Sequence, residues 1–87
     1  MNILLETHLN IEGSRVMRRS NFKVNSKDFK NDPDFTSAVI AYEWIQEQKK
    51  ETGFQDTIIE KVIYDNEYDI TELVKKIRPV IYDDLPF

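Results

Sequence analysis

Residues 3–11, Ile3-Leu4-Leu5-Glu6-Thr7-His8-Leu9-Asn10-Ile11, decide the fold. Ile3, Leu5, Thr7, Leu9 and Ile11 recur at every second position, with Leu4, Glu6, His8 and Asn10 between them. A period of two is that of a strand with one buried face. Glu12-Gly13-Ser14 then reads as a turn, and a second strand is expected over about residues 15–24. There Val16, Arg18, Ser20, Phe22 and Val24 alternate with Arg15, Met17, Arg19, Asn21 and Lys23. The pattern predicts an N-terminal β-hairpin and leaves open which side of its second strand faces the core.

Beyond the hairpin, residues 25–33 are polar apart from Phe29 and read as a connection. Asn31-Asp32-Pro33-Asp34 is a helix start: Asp32 can cap, Pro33 suits the first turn, and Asp34 complements the helix dipole. Phe35, Ala38, Val39, Tyr42 and Ile45 form one apolar stripe, with Ile40, Ala41 and Trp44 beside it. So broad a face predicts a long helix packed on the sheet and against a further element. Lys49 and Lys50 sit where a last turn would be, and Gly53 suits the residue just past the end. Residues 57–64 read as a strand, Asp65-Asn66-Glu67 as a turn, and 68–70 as a brief returning strand. Asp69 and Glu72 then resemble a capping box for a short helix carrying Leu73, Val74 and Ile77, with Pro79 as its stop. The expected class is α+β: a small antiparallel sheet covered by one long and one short helix. Residues 1–80 form one domain on this reading, with 81–87 as an exposed tail.

Composition narrows the function. The chain has 87 residues, no cysteine and a net charge of −4. Eighty-seven residues support one small core, or a core completed by homo-oligomerisation. Without cysteine there is no disulfide framework, zinc ribbon or thiol chemistry. Glu6 interrupts the N-terminal apolar run before a secretory signal can form, and no stretch reaches membrane-spanning length, so a cytoplasmic protein with no membrane role is expected. The charge is uneven: residues 1–31 carry six basic and three acidic side chains, while residues 32–87 carry six and thirteen.

Catalytic constellations do not emerge from the spacing. His8 is the single histidine, and a lone His on the polar side of a strand is most often a surface residue. Glu43, Glu47 and Glu51 repeat every fourth residue along one helix edge, which is the pattern of a solvated face. Asp65, Glu67 and Asp69 alternate like the opening of a calcium loop, but Ile70-Thr71 and the missing glycine break it. No glycine-rich phosphate loop is present. The expectation is a binding protein rather than an enzyme, with no catalytic residues, no metal site and no cofactor.

The end of the chain carries the most specific signal. Asp83-Asp84-Leu85-Pro86-Phe87 places two acids, an aliphatic, a proline and a phenylalanine in order at the terminus. A terminal Phe can bury its ring, for about 1.5–3 kcal/mol, while its α-carboxylate meets an Arg or Lys at the pocket rim. Pro86 stiffens the approach, Leu85 adds an apolar contact, and Asp83 and Asp84 steer the peptide toward a basic surface. These five residues resemble the C-terminal docking tip of bacterial single-stranded DNA-binding proteins, especially the Gram-positive form. The resemblance covers the tail alone. It implies a partner among host replication, recombination or repair proteins with a basic pocket, and a small phage or mobile-element protein acting as recruiter or decoy inhibitor. Residues 79–82 are apolar, so the tip is expected to project from close to the folded body.

A second candidate surface is the basic strand. Arg15, Arg18, Arg19 and Lys23, with Phe22, offer charges for a nucleic-acid backbone and a ring for stacking. The competing explanation is protection of an exposed sheet edge by charge. A third reading is an inhibitor that meets a host enzyme through its folded surface, with the tail irrelevant.

Overall fold

The computed structural model describes residues 1–53 and 56–77. Element order is β1 (Asn2–Ile11), β2 (Ser14–Lys23), α1 (Ser26–Asn31), α2 (Pro33–Glu51), β3 (Thr57–Tyr64), β4 (Tyr68–Asp69) and α3 (Thr71–Lys76). The four strands form one antiparallel sheet in the order β2-β1-β3-β4. The α+β class is as the sequence predicts. Pro79 and the expected domain boundary at residue 80 lie outside the described residues.

Alternation in β1 translates directly into burial. Ile3, Leu5, Thr7 and Leu9 are each at most 1% exposed, and they face the long helix. The Gln48 side chain of α2 donates to the Thr7 hydroxyl at 3.3 Å, which fixes that face of β1 under the helix. Val62 and Tyr64 of β3, paired to Thr7 and Leu5, continue the same layer. Ile70 and Val74, around the start of α3, close it at the β4 side. Core residues thus come from β1, β3, α2, α3 and the loops beside them, and β2 contributes the half-buried Val16, Ser20 and Phe22.

Local chemistry explains the boundaries. Glu12 and Gly13 both have positive φ, 49° and 90°, which the two-residue hairpin turn requires. The Asn10 side chain accepts the Gly13 amide at 2.8 Å and secures that turn. Asp32 caps α2 as expected, its carboxylate accepting the Phe35 amide at 3.1 Å with Pro33 in the first turn. Gly53, at φ 76°, takes the left-handed position that ends the helix.

Three details depart from expectation. Residues 25–33 are not a plain connection, because Ser26–Asn31 forms α1. Asn25 caps it by accepting the Lys27 and Asp28 amides, and Phe29 sets its ring edge-on to Tyr64, centroids 6.0 Å apart. Secondly, the buried seam of α2 keeps Ala38, Ala41 and Ile45 of the expected stripes and adds the polar Ser37 and Gln48, leaving the bulkier residues to its flanks. Small side chains let the helix lie close to the strands. Phe35 is left 51% exposed, while Ile40, Tyr42 and Trp44 pack along the flanks. Thirdly, Ile70 rather than Asp69 occupies the cap position of α3. Asp69 instead accepts from the Thr71 amide at 2.9 Å and from the Thr71 hydroxyl. That hydroxyl accepts the Val62 amide at 2.9 Å, so Thr71 extends the edge pairing of β3 by one side-chain bond.

Candidate functional site

The basic strand is split by its own geometry. Register places Phe22, Ser20, Arg18 and Val16 beside Ile3, Leu5, Thr7 and Leu9, on the side that the helix covers. Arg15, Met17, Arg19, Asn21 and Lys23 fall on the opposite, uncovered side of the sheet. Arg18 is therefore separated from Arg15, Arg19 and Lys23, and it reaches Glu51 of α2 at 2.9 Å. Phe22 packs on Trp44 with centroids 5.0 Å apart, so its ring belongs to the helix–sheet seam. The expected combination of four cations and a stacking ring is not gathered on one surface.

The uncovered side carries a charge network that the sequence pattern did not point to. Glu6, at the centre of the sheet, accepts from His8 Nε2 at 2.6 Å and Arg19 Nε at 2.8 Å. Both bonds favour the carboxylate, His8 most and then Arg19, and hold the Glu6 pKa below its ordinary value. The missed signal was positional: residues two apart on a strand share a face, and Arg19 is the cross-strand partner of Glu6. A β-bulge in β3 adds a second pair. Between His8 and Leu9 the register shifts, because Lys61 opposes His8 while Ile59 opposes Leu9. The extra residue, Glu60, reaches Arg15 at 3.4 Å and Asn10 at 3.4 Å. Met17 and Ile58 are 53% and 63% exposed on this same side.

The acids weighed for metal binding are dispersed. Glu43, Glu47 and Glu51 are all exposed, and two of them pair with Lys50 and Arg18. Asp65 accepts the Leu4 amide at 3.0 Å, and Asp69 is committed to Thr71, which lowers its pKa. Among the described residues, no group of three or more His, Cys, Asp or Glu side chains could hold a metal ion. No described helix is long and apolar enough to cross a membrane.

Among the described residues, two depressions border the helices. One, of about 680 Å³, lies between β3 and α3 and mixes Lys61 and Lys75 with Asp34 and Asp69. The other, of about 490 Å³, lies where α1 meets α2, with Phe35, Val39 and Ile40 on its wall and Lys23, Asp28 and Asp32 at its polar edge. Neither gathers a nucleophile with a base, or charges of one sign.

Asp83, Asp84, Leu85, Pro86 and Phe87 lie outside the described residues. Compared with protein-family models, curated proteins and solved structures, the chain matches none.

Proposed function

We propose that this protein is a small interaction module whose C-terminal tip occupies the pocket that normally receives the tip of a bacterial single-stranded DNA-binding protein. The observation that carries the reading is the sequence Asp83-Asp84-Leu85-Pro86-Phe87, in that order and ending on Phe. It requires Phe87 to end the native chain, because ring and α-carboxylate act together in the docked tip. The partner is a host replication, recombination or repair enzyme with a basic rim around an apolar pocket. The protein acts by binding rather than catalysis, in the cytoplasm of a Gram-positive host, as a phage or mobile-element product.

Recruitment of a host enzyme is the less demanding mode. A micromolar tip supplies about −8 kcal/mol, and a decoy needs further contacts or several copies to displace a multivalent carrier. The nucleic-acid alternative ranks behind it, because Arg18 and Phe22 lie on the helix side while Arg15 and Arg19 are ion-paired.

A pull-down from Gram-positive lysate with the intact chain and a chain lacking Phe87 tests the reading. Retention of helicases, nucleases or recombination mediators by the intact chain alone is the expected result. Equal retention by both forms would move the function to the folded surface.

A further inference from the structure

We propose that the outer edge of β2 is a strand-addition site for an acidic, extended peptide of a partner protein. The inference is independent of the C-terminal tip. It begins with the hairpin turn. A two-residue turn at Glu12 and Gly13 makes Ile11 and Ser14 a hydrogen-bonded pair, and pairing then alternates along the ladder. Ser14, Val16, Arg18, Ser20 and Phe22 direct their backbone groups at β1. Val24 keeps the same parity, donating its amide to the Met1 carbonyl at 2.9 Å. Arg15, Met17, Arg19, Asn21 and Lys23 therefore direct N–H and C=O away from β1. Because β2 ends the sheet, these groups meet no strand among the described residues.

Long, flat edges are normally blunted by a proline, a bulge, a covering element or charge. β2 is ten residues long, contains no proline, and pairs with β1 without a register shift. Charge is the device it uses, and that charge has one sign: Arg15, Arg18, Arg19 and Lys23 with no acid. One sign selects as well as repels. A second copy pairing β2 against β2 would set cations against cations, which destabilises cross-strand contacts. An acidic strand meets the opposite condition.

The side chains specify the partner further. Arg15, Met17, Arg19 and Lys23 share the uncovered side of the sheet. The Arg15 and Arg19 side chains remain 81% and 55% exposed despite their contacts with Glu60 and Glu6. A guanidinium has five donors, so one carboxylate does not exhaust it. The matching strand carries acids opposite Arg15, Arg19 and Lys23, and an apolar residue opposite Met17. Main-chain bonds supply affinity and the alternate side chains supply selection.

The test adds a synthetic peptide to the full chain and follows amide hydrogen exchange by NMR. The peptide has Glu at every fourth position, Val midway between the first two, and Thr elsewhere. The Arg15, Met17, Arg19, Asn21 and Lys23 amides should slow by about tenfold or more, with little change at the alternate amides already bonded to β1. Met17→Pro removes one outward donor and keeps every charge, so it should abolish the effect. Retained protection at Val16 and Arg18 would show that the hairpin survives. Arg15→Glu with Lys23→Glu, which leaves the backbone untouched, should weaken binding by about tenfold or more. The proposal is overturned by an absence of alternate slowing. It is overturned equally by binding that survives Met17→Pro and is displaced by single-stranded DNA, which identifies a nucleic-acid patch. Protection of the Arg15, Met17, Arg19, Asn21 and Lys23 amides in the free chain would also overturn it, since the edge would then be occupied by the chain itself or by a second copy.

Discussion

The Tyr64 hydroxyl donates a 2.6 Å hydrogen bond to the Asp34 carboxylate, tying the buried end of β3 to the first turn of α2. Tyr64 is 3% exposed, stacks on Tyr68 with centroids 4.8 Å apart and takes the Phe29 edge from α1. One side chain thus joins β3 to β4, α1 and α2. Burial, and then the bond to Asp34, push the phenol pKa well above its ordinary value of 10. The neutral phenol is the form that the fold holds. Its contribution is complete below about pH 10, the ordinary phenol value, and is lost as pH rises through the higher folded-state value. Tyr64→Phe should cost about 1.5 kcal/mol at neutral pH, the low end for a bond to a charged group because Asp34 is exposed. The same substitution should flatten the alkaline decline in stability. Urea melts across neutral and alkaline pH check both expectations.

Glu6 has the opposite sign. Its folded-state pKa lies below the ordinary value of 4.5, so the stabilisation is present above that value and disappears as pH falls through the folded one. Glu6→Gln should lower stability at neutral pH by no more than about 1 kcal/mol, because the Arg19 partner is exposed and screened by salt. The difference from the native chain should vanish in acid and shrink at high ionic strength. Thermal melts of both chains across acid pH and added salt provide the comparison.

Along α2, closeness to the sheet should outrank side-chain size. Ile45 is 1% exposed in the seam, whereas Trp44 is half-buried against Phe22 on the flank. Ile45→Ala should cost about 2–5 kcal/mol, as large-to-small core changes do. Trp44→Ala should fall below the about 3–5 kcal/mol of a fully buried aromatic truncation. Chemical denaturation of the two variants ranks them.

These placements show which parts of the fold the sequence pattern could carry. β1 was legible because alternation from Ile3 to Ile11 coincides with a sheet buried on one side. α2 was legible at its ends, where Asp32, Pro33 and Gly53 act through local geometry. Its buried seam was legible at Ala38, Ala41 and Ile45 but not at Ser37 and Gln48, which are polar and gain their place from proximity to β1. α1 escaped because six residues with Phe29 as the lone apolar member show no helical period. The division of Arg15, Arg19 and Lys23 from Arg18 depends on strand parity, which the mixed composition of residues 14–23 leaves undecided. Glu6 was hidden for a related reason, as its cross-strand partner Arg19 is thirteen residues away in sequence.

Asp83 and Asp84 should act through long-range attraction, and Phe87 through the pocket. Asp83→Ala with Asp84→Ala is expected to weaken docking and to flatten its salt dependence. Loss of Phe87 is expected to abolish docking while leaving the melting temperature unchanged. Titrations at several salt concentrations, with parallel thermal melts, separate these effects.

The most direct measurement is a displacement experiment on a purified host helicase or exonuclease that binds the single-stranded DNA-binding protein tip. A fluorescent tip peptide is bound to the enzyme, and anisotropy is followed as the intact protein or the chain lacking Phe87 is added. The account predicts full displacement by the intact protein and none by the shortened one. Equal displacement by both, or none by either across enzymes that bind the tip peptide, would contradict it.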